Sequence, residues 1–71
     1  MANVKLRVGG MTCDHCRAKV EAALKGVRGV YSVVVDLQDG EAEVDFDDDA
    51  LTTADLIGAV ERTGYGAKLA G

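Results

Sequence analysis

Proline and tryptophan are absent from this chain of 71 residues, histidine occurs once, and there are only two cysteines. Two cysteines three positions apart cannot form the framework of a secreted disulfide scaffold, which needs more cysteines at wider spacing. They are therefore metal-binding, redox-active or incidental. Long apolar runs are also missing: none is longer than Val33-Val34-Val35, and Met1 to Val8 alternates polar and apolar residues. That pattern excludes a transmembrane helix or a secretory signal within these residues, and it makes the cytoplasm the default location and membrane insertion an unexpected property. Basic residues are few and scattered, and the net charge is -4. Phosphate binding relies on clustered Lys and Arg, so nucleic acid is not an expected partner. An acidic chain instead suits a partner with a basic docking patch. No Ser/His/Asp or paired-carboxylate constellation is visible, so an enzyme reading lacks a site. The Asp47-Asp48-Asp49 run lacks the spaced ligands of a calcium loop and reads as a solvated connection.

What is present suffices for one domain, residues 1–71, close to the lower size limit for folding on an apolar core without a staple. Val4, Leu6 and Val8 alternate with Asn3, Lys5 and Arg7, as in a half-buried strand that Gly9-Gly10 ends. From about His15 to Lys25, Cys16, Val20, Ala23 and Leu24, with Val27 just beyond, form a helical stripe that Gly26 and Gly29 stop. Val30 to Asp36 is rich in β-branched residues, and Glu41 to Phe46 alternates with Ala42, Val44 and Phe46 on one side. Asp39-Gly40 between them signals a hairpin, because such turns need residues tolerant of positive φ. A second helix starts near Thr52, where Thr52 and Asp55 match a capping box; it buries Leu56, Ile57 and Val60 and ends before Gly64. A short strand at about Ala67 to Leu69 completes the order βαββαβ. The expected class is α+β, ferredoxin-like: a four-stranded antiparallel sheet with both helices on one face.

The chemistry concentrates in Gly10-Met11-Thr12-Cys13-Asp14-His15-Cys16. Cys13 falls in the loop after the first strand, and Cys16 in the first turn of the helix. Unpaired N–H groups and the positive helix end favour an anion there, so both thiols are expected to ionise more readily than a free cysteine. A disulfide needs sulfurs about 2.05 Å apart, whereas a linear two-coordinate ion needs roughly 4.5 Å, twice a metal–sulfur bond near ~2.3 Å. A loop thiolate and a helix-start thiolate can reach the larger separation. Two sulfurs without an obvious third ligand favour Cu(I), with Ag(I) and Hg(II) as chemical cousins, over Zn(II), which prefers four ligands.

The Gly10 to Cys16 segment, followed by the Val30 to Asp36 strand, Asp39-Gly40 and Thr63-Gly64-Tyr65, resembles the heavy-metal-associated domain family, and its bacterial Cu(I) chaperones in particular. The resemblance covers about Val4 to Leu69. It implies that Cys13 and Cys16 bind one Cu(I), which is transferred by ligand exchange to the metal-binding domain of a copper-transporting P-type ATPase. The implied carrier is a monomer, with a metal-linked dimer left open. The resemblance also implies that Met11 packs inward and supports the loop, and that Tyr65 sits near it. Thr12 stands where zinc and cadmium pump domains carry aspartate, which weighs further against zinc.

Each accessory residue also has a plainer role. Met11 beside apolar strands is core filling before it is a third sulfur ligand. His15 points away from the Val20 and Leu24 face by helical spacing, which suits a solvent-exposed modulator of the cysteines or a dimer contact better than a ligand. Tyr65 is either an aromatic at the core edge or a shield over the thiol loop. Alternatives of the same class are a domain excised from a copper ATPase, and a Hg(II) carrier or mercuric-reductase appendage; the position of the fold between the termini favours a free-standing protein. The alternative of a different class, a thiol–disulfide oxidoreductase, fares poorly: the thioredoxin-type pair works with neighbouring prolines, and this chain has none.

Overall fold

Alternation sends Leu6 and Val8 to one side of the first strand and Lys5 and Arg7 to the other, and this strand becomes the centre of the domain. The computed structural model describes residues 2–70, with elements β1 (Ala2–Gly9), α1 (Asp14–Lys25), β2 (Val30–Asp36), β3 (Glu41–Phe46), α2 (Thr53–Glu61) and β4 (Gly66–Leu69). The four strands form one sheet in the order β2-β3-β1-β4. Every pairing is antiparallel, with Val4 opposite Val44 and Leu6 opposite Ala42 on one flank of β1, and Val8 opposite Ala67 and Gly9 opposite Gly66 on the other. Both helices pack on one face of this sheet, α1 against β2 and α2 against β4. The expected ferredoxin-like class is the observed one. None of the described helices is long and apolar enough to cross a membrane.

The core lies between sheet and helices. Leu6, Val20, Leu24, Val44, Leu56 and Val60 are fully buried, and among the described residues no polar or charged one is buried with them. Each such side chain contributes about 1.5–3 kcal/mol through removal of apolar surface from water. Leu51 and Ala59 join this core, whereas Ile57, expected inside, is only half-buried and packs at its edge. A two-turn helix offers a narrow stripe, and the stripe of α2 runs through Leu56, Ala59 and Val60.

Local chemistry sets the element ends. Helix α1 begins at Asp14, one residue before the expected start, with Cys13 at the N-cap in an extended conformation. It closes on Gly26, whose N–H donates to the Ala22 carbonyl at 3.0 Å. Gly29 then turns the chain into β2 with φ of 101°, and a Cβ there would sit 2.7 Å from Leu51 Cδ2. At the start of α2 both halves of the capping box form: the Thr52 N–H donates to the Asp55 carboxylate at 2.9 Å, and the Asp55 N–H to Thr52 Oγ1 at 3.4 Å. The β2–β3 connection differs from a tight two-residue turn. It spans Leu37 to Gly40, its Gly40 N–H donates to the Asp36 carbonyl at 2.9 Å, and only Gly40, not Asp39, takes a positive φ. Strand β4 begins at Gly66, one residue before the expected Ala67.

Gly29→Ala combines left-handed backbone strain with a clash against a core leucine, so it is expected to cost at least ~1–2 kcal/mol. Thr52→Ala, which removes one half of the capping box, is expected to cost about 1 kcal/mol. At this chain length each kcal/mol lowers Tm by about 4–8 °C. Thermal unfolding followed by circular dichroism checks both; a Gly29→Ala protein melting with the parent would refute the packing account.

Candidate metal site

The thiol segment lies between the centre of the sheet and the first helix. Strand β1 ends at Gly9, Gly10 turns the chain with φ of 92°, and three residues later α1 begins. Cys13, the N-cap, is exposed; Cys16, in the first helical turn, is half-buried. Their sulfurs are 3.3 Å apart in an S–H···S contact. This is well beyond a disulfide bond and about 1 Å short of the separation a linear two-coordinate ion needs. Side-chain rotation at an exposed N-cap can open that gap without moving the backbone.

The Cys16 thiol is held well below its usual range, at about 6. The largest cause is the Tyr65 hydroxyl, which hydrogen-bonds toward its sulfur; the Thr12 backbone and the Cys13 side chain add to it, and partial burial opposes them. Reciprocally, Tyr65 is pushed above its usual value, first by that hydrogen bond and then by burial and the two cysteines. The expectation of acidified thiols is thus met at Cys16, and its main source is a tyrosine from the far end of the chain, with the backbone at Thr12 and Cys13 in a supporting role.

The other sequence-derived residues separate clearly. Tyr65 is brought to the thiols, and its ring covers Gly10: a Cβ on Gly10 would lie 3.1 Å from Tyr65 Cδ1. Met11 is half-buried against the core, the core-filling role. Thr12 is exposed and acts on Cys16 through its backbone. His15 is exposed, and among the described residues no group of three or more His, Cys, Asp and Glu side chains gathers around a common point. The site is two sulfurs without a third side-chain donor of those types.

Two features of the site lie outside that set of residues. Gly10, read as a strand terminator and as the first residue of the thiol segment, is the position that lets the tyrosine ring close over the loop. Arg17 Nε donates to Asp14 Oδ1 at 2.9 Å, and Arg17 Nη1 lies 3.7 Å from Glu21. The contact with Arg17 lowers the Asp14 carboxyl below its usual value and ties down the first turn that carries Cys16. The i,i+3 and i,i+4 spacing of these charges was the available signal.

The heavy-metal-associated domain model matches residues 5–66. The chain is 44% identical over 68 residues to a copper chaperone, CopZ, of Staphylococcus saprophyticus, an alignment covering 96% of this chain and 100% of that one. Among solved structures, a copper binding domain from HMA7, a P-type ATPase, superposes with a TM-score of 0.98 at 35% identity, covering 100% of this chain and 96% of that one. Oxidised MerP from Ralstonia metallidurans superposes with a TM-score of 0.95 at 34% identity, over 99% and 97%.

With a pKa of about 6, Cys16 is expected to be a thiolate in roughly nine of ten molecules at pH 7 and mostly a thiol below pH 5. Tyr65→Phe removes the leading donor to that thiolate, so it should raise the Cys16 pKa. The pH dependence of the Cys16 ¹³Cβ chemical shift in both proteins checks this. An unmoved midpoint in Tyr65→Phe would mean that the tyrosine does not set the acidity.

Proposed function

The chain belongs to the heavy-metal-associated domain family, and from that membership we propose that it carries one Cu(I) between the thiolates of Cys13 and Cys16 and delivers it to the metal-binding domain of a copper-transporting P-type ATPase. The observation that carries this reading is the pair of sulfurs 3.3 Å apart, one exposed and one acidified, at the loop end of the sheet. Two thiolates with no third His, Cys, Asp or Glu gathered beside them among the described residues suit a soft ion that accepts two-coordination, and leave Zn(II) two ligands short. Ag(I) and Hg(II) meet the same donor set. The curated similarity to copper chaperones supports copper as the cargo.

Exposure suits release as well as binding. An incoming thiolate from the acceptor attacks the under-coordinated ion, one bond to Cys13 or Cys16 breaks, and the freed sulfur takes up a proton. A second exchange completes transfer, with the oxidation state of copper unchanged throughout. Cys13, at the exposed N-cap, is the more accessible sulfur; Cys16, held by Tyr65, is the better anchor. His15, Met11 and Thr12 are supporting residues in this reading. The protein works as a binding module in the cytoplasm, its single domain spanning residues 1–71, and not as an enzyme.

Replacing either Cys13 or Cys16 by Ser is expected to lower Cu(I) affinity by orders of magnitude, while His15→Ala changes it modestly. Competition against a chromophoric Cu(I) chelator under anaerobic conditions reads both. Unchanged affinity in Cys13→Ser would overturn two-thiolate binding. Native mass spectrometry of protein from copper-fed cells should give one copper per chain; one zinc per chain would overturn the choice of metal.

A further inference from the structure

Among the described residues, no element covers the face of the sheet opposite the helices, and its charges are ordered. At the end near the thiol loop, one lateral row crosses all four strands: Asp36 lies opposite Glu41, Glu41 opposite Arg7, and Arg7 opposite Lys68. Alternation with the inward residues Val35, Ala42, Leu6, Val8 and Ala67 turns all four of these side chains outward. Read from β2 to β4 the row is acid, acid, base, base, roughly 14 Å wide at ~4.8 Å per strand. Only the central acid-base pair repeats one row further down, where Glu43 of β3 lies opposite Lys5 of β1 and Val34 takes the β2 position.

Little of this charge is consumed within the chain. Arg7 and Glu41 make one loose ion pair at 3.6 Å, with the Arg7 side chain 59% exposed, and among the described residues Asp36, Lys68, Lys5 and Glu43 make none. The surface is also hollowed at both ends of the row. A recess of about 390 Å³ is walled by Arg7 and Lys68 with Gly9 and Gly66 in its floor, where added Cβ atoms would meet nothing within 4 Å. A smaller hollow of about 150 Å³, acidic on balance, lies among Asp36, Asp39, Glu41 and Glu43, with Lys5 and Val34 completing its lining.

We propose that this face docks a second copy of the chain, sheet to sheet, about a twofold axis parallel to the strands. The charge order selects that axis. A twofold along the strands reverses the row, placing Asp36 over Lys68 and Glu41 over Arg7 of the other copy, twice by symmetry, with each basic recess facing an acidic hollow. A twofold along the row would instead set acid on acid and base on base. Stacked sheets keep their strands within about 30° of one another, so the selected arrangement presents both thiol loops at the same end. The charges are solvated in the free chain and must lose water to pair, so the association is weak, and salt screens it. It needs no metal and does not involve Cys13 or Cys16.

Sedimentation equilibrium of the reduced protein with a metal chelator tests this. At low ionic strength the weight-average mass is expected to rise toward twice the monomer with concentration, and to return to the monomer in ~0.5 M salt, where the screening length falls to a few ångström. Asp36→Lys/Glu41→Lys, with a wholly basic row, and Arg7→Glu/Lys68→Glu, with a wholly acidic one, should each remain monomeric, and an equimolar mixture of the two should associate at least as strongly as the parent. Asp48→Lys/Asp49→Lys, which carries the same charge change away from the face, should not pair with Arg7→Glu/Lys68→Glu; equal pairing would show attraction by net charge alone and overturn the proposal. So would a parent protein that stays monomeric at low salt, or a mixture that does not associate. A spin label at Lys68→Cys in a Cys13→Ser/Cys16→Ser background should broaden the amide of Asp36 in an isotope-labelled second copy; broadening centred on Lys68 itself would overturn the orientation.

Discussion

Because β1 is paired along both edges, its last residue, Gly9, lies opposite Gly66, and the residues just beyond, Gly10 and Tyr65, are forced together. The ring covers a backbone position with no side chain, and its hydroxyl reaches Cys16 on the neighbouring helix. Cys16 therefore owes its acidity to a strand register. A slip of one residue would turn Leu6 and Val8 to solvent and carry Tyr65 away from the loop in the same step, so folding and preparation of the site are one event.

The remaining structure serves that arrangement by holding the two ends of the loop. Leu6 and Val8 fix β1 in the core from one side, and Val20 and Leu24 fix α1 from the other. Between them only Gly10, Met11, Thr12 and Cys13 lie outside the regular elements, and Met11 packs against the core. The loop is thus short, anchored in its middle, and open at Cys13. The proposed carrier role calls for this combination: one sulfur that stays in place, and another that an incoming ligand can reach.

Electrostatics divides the surface into regions with different work. At Cys16 the acidity is set by hydrogen-bond donors, and Asp14 is neutralised by Arg17. On the far face of the sheet the charges sit in columns, acidic on β3 and basic on β1. The scattered appearance of the basic residues along the chain is a consequence of strand alternation: positions two apart in sequence become neighbours on one face. A net charge of -4 described the whole chain correctly and concealed a basic half-face built from Lys5, Arg7 and Lys68.

The order of elements, the outward and inward faces, the Thr52–Asp55 cap and the cysteine pair at a helix start were all legible in the sequence, because each depends on residues within a few positions of one another. Helix and strand periods, turn residues and a C-x-x-C spacing are local patterns, and local patterns survive reading along the chain. The tertiary structure decided what depends on distant residues meeting. It set Tyr65 over Gly10 and against Cys16, made the turn after β2 four residues long with its positive φ at Gly40 alone, left Ile57 at the edge of the core, and lined up Asp36, Glu41, Arg7 and Lys68 in one row. Periodicity states which face a residue takes; only strand register and packing state which other residue it faces there.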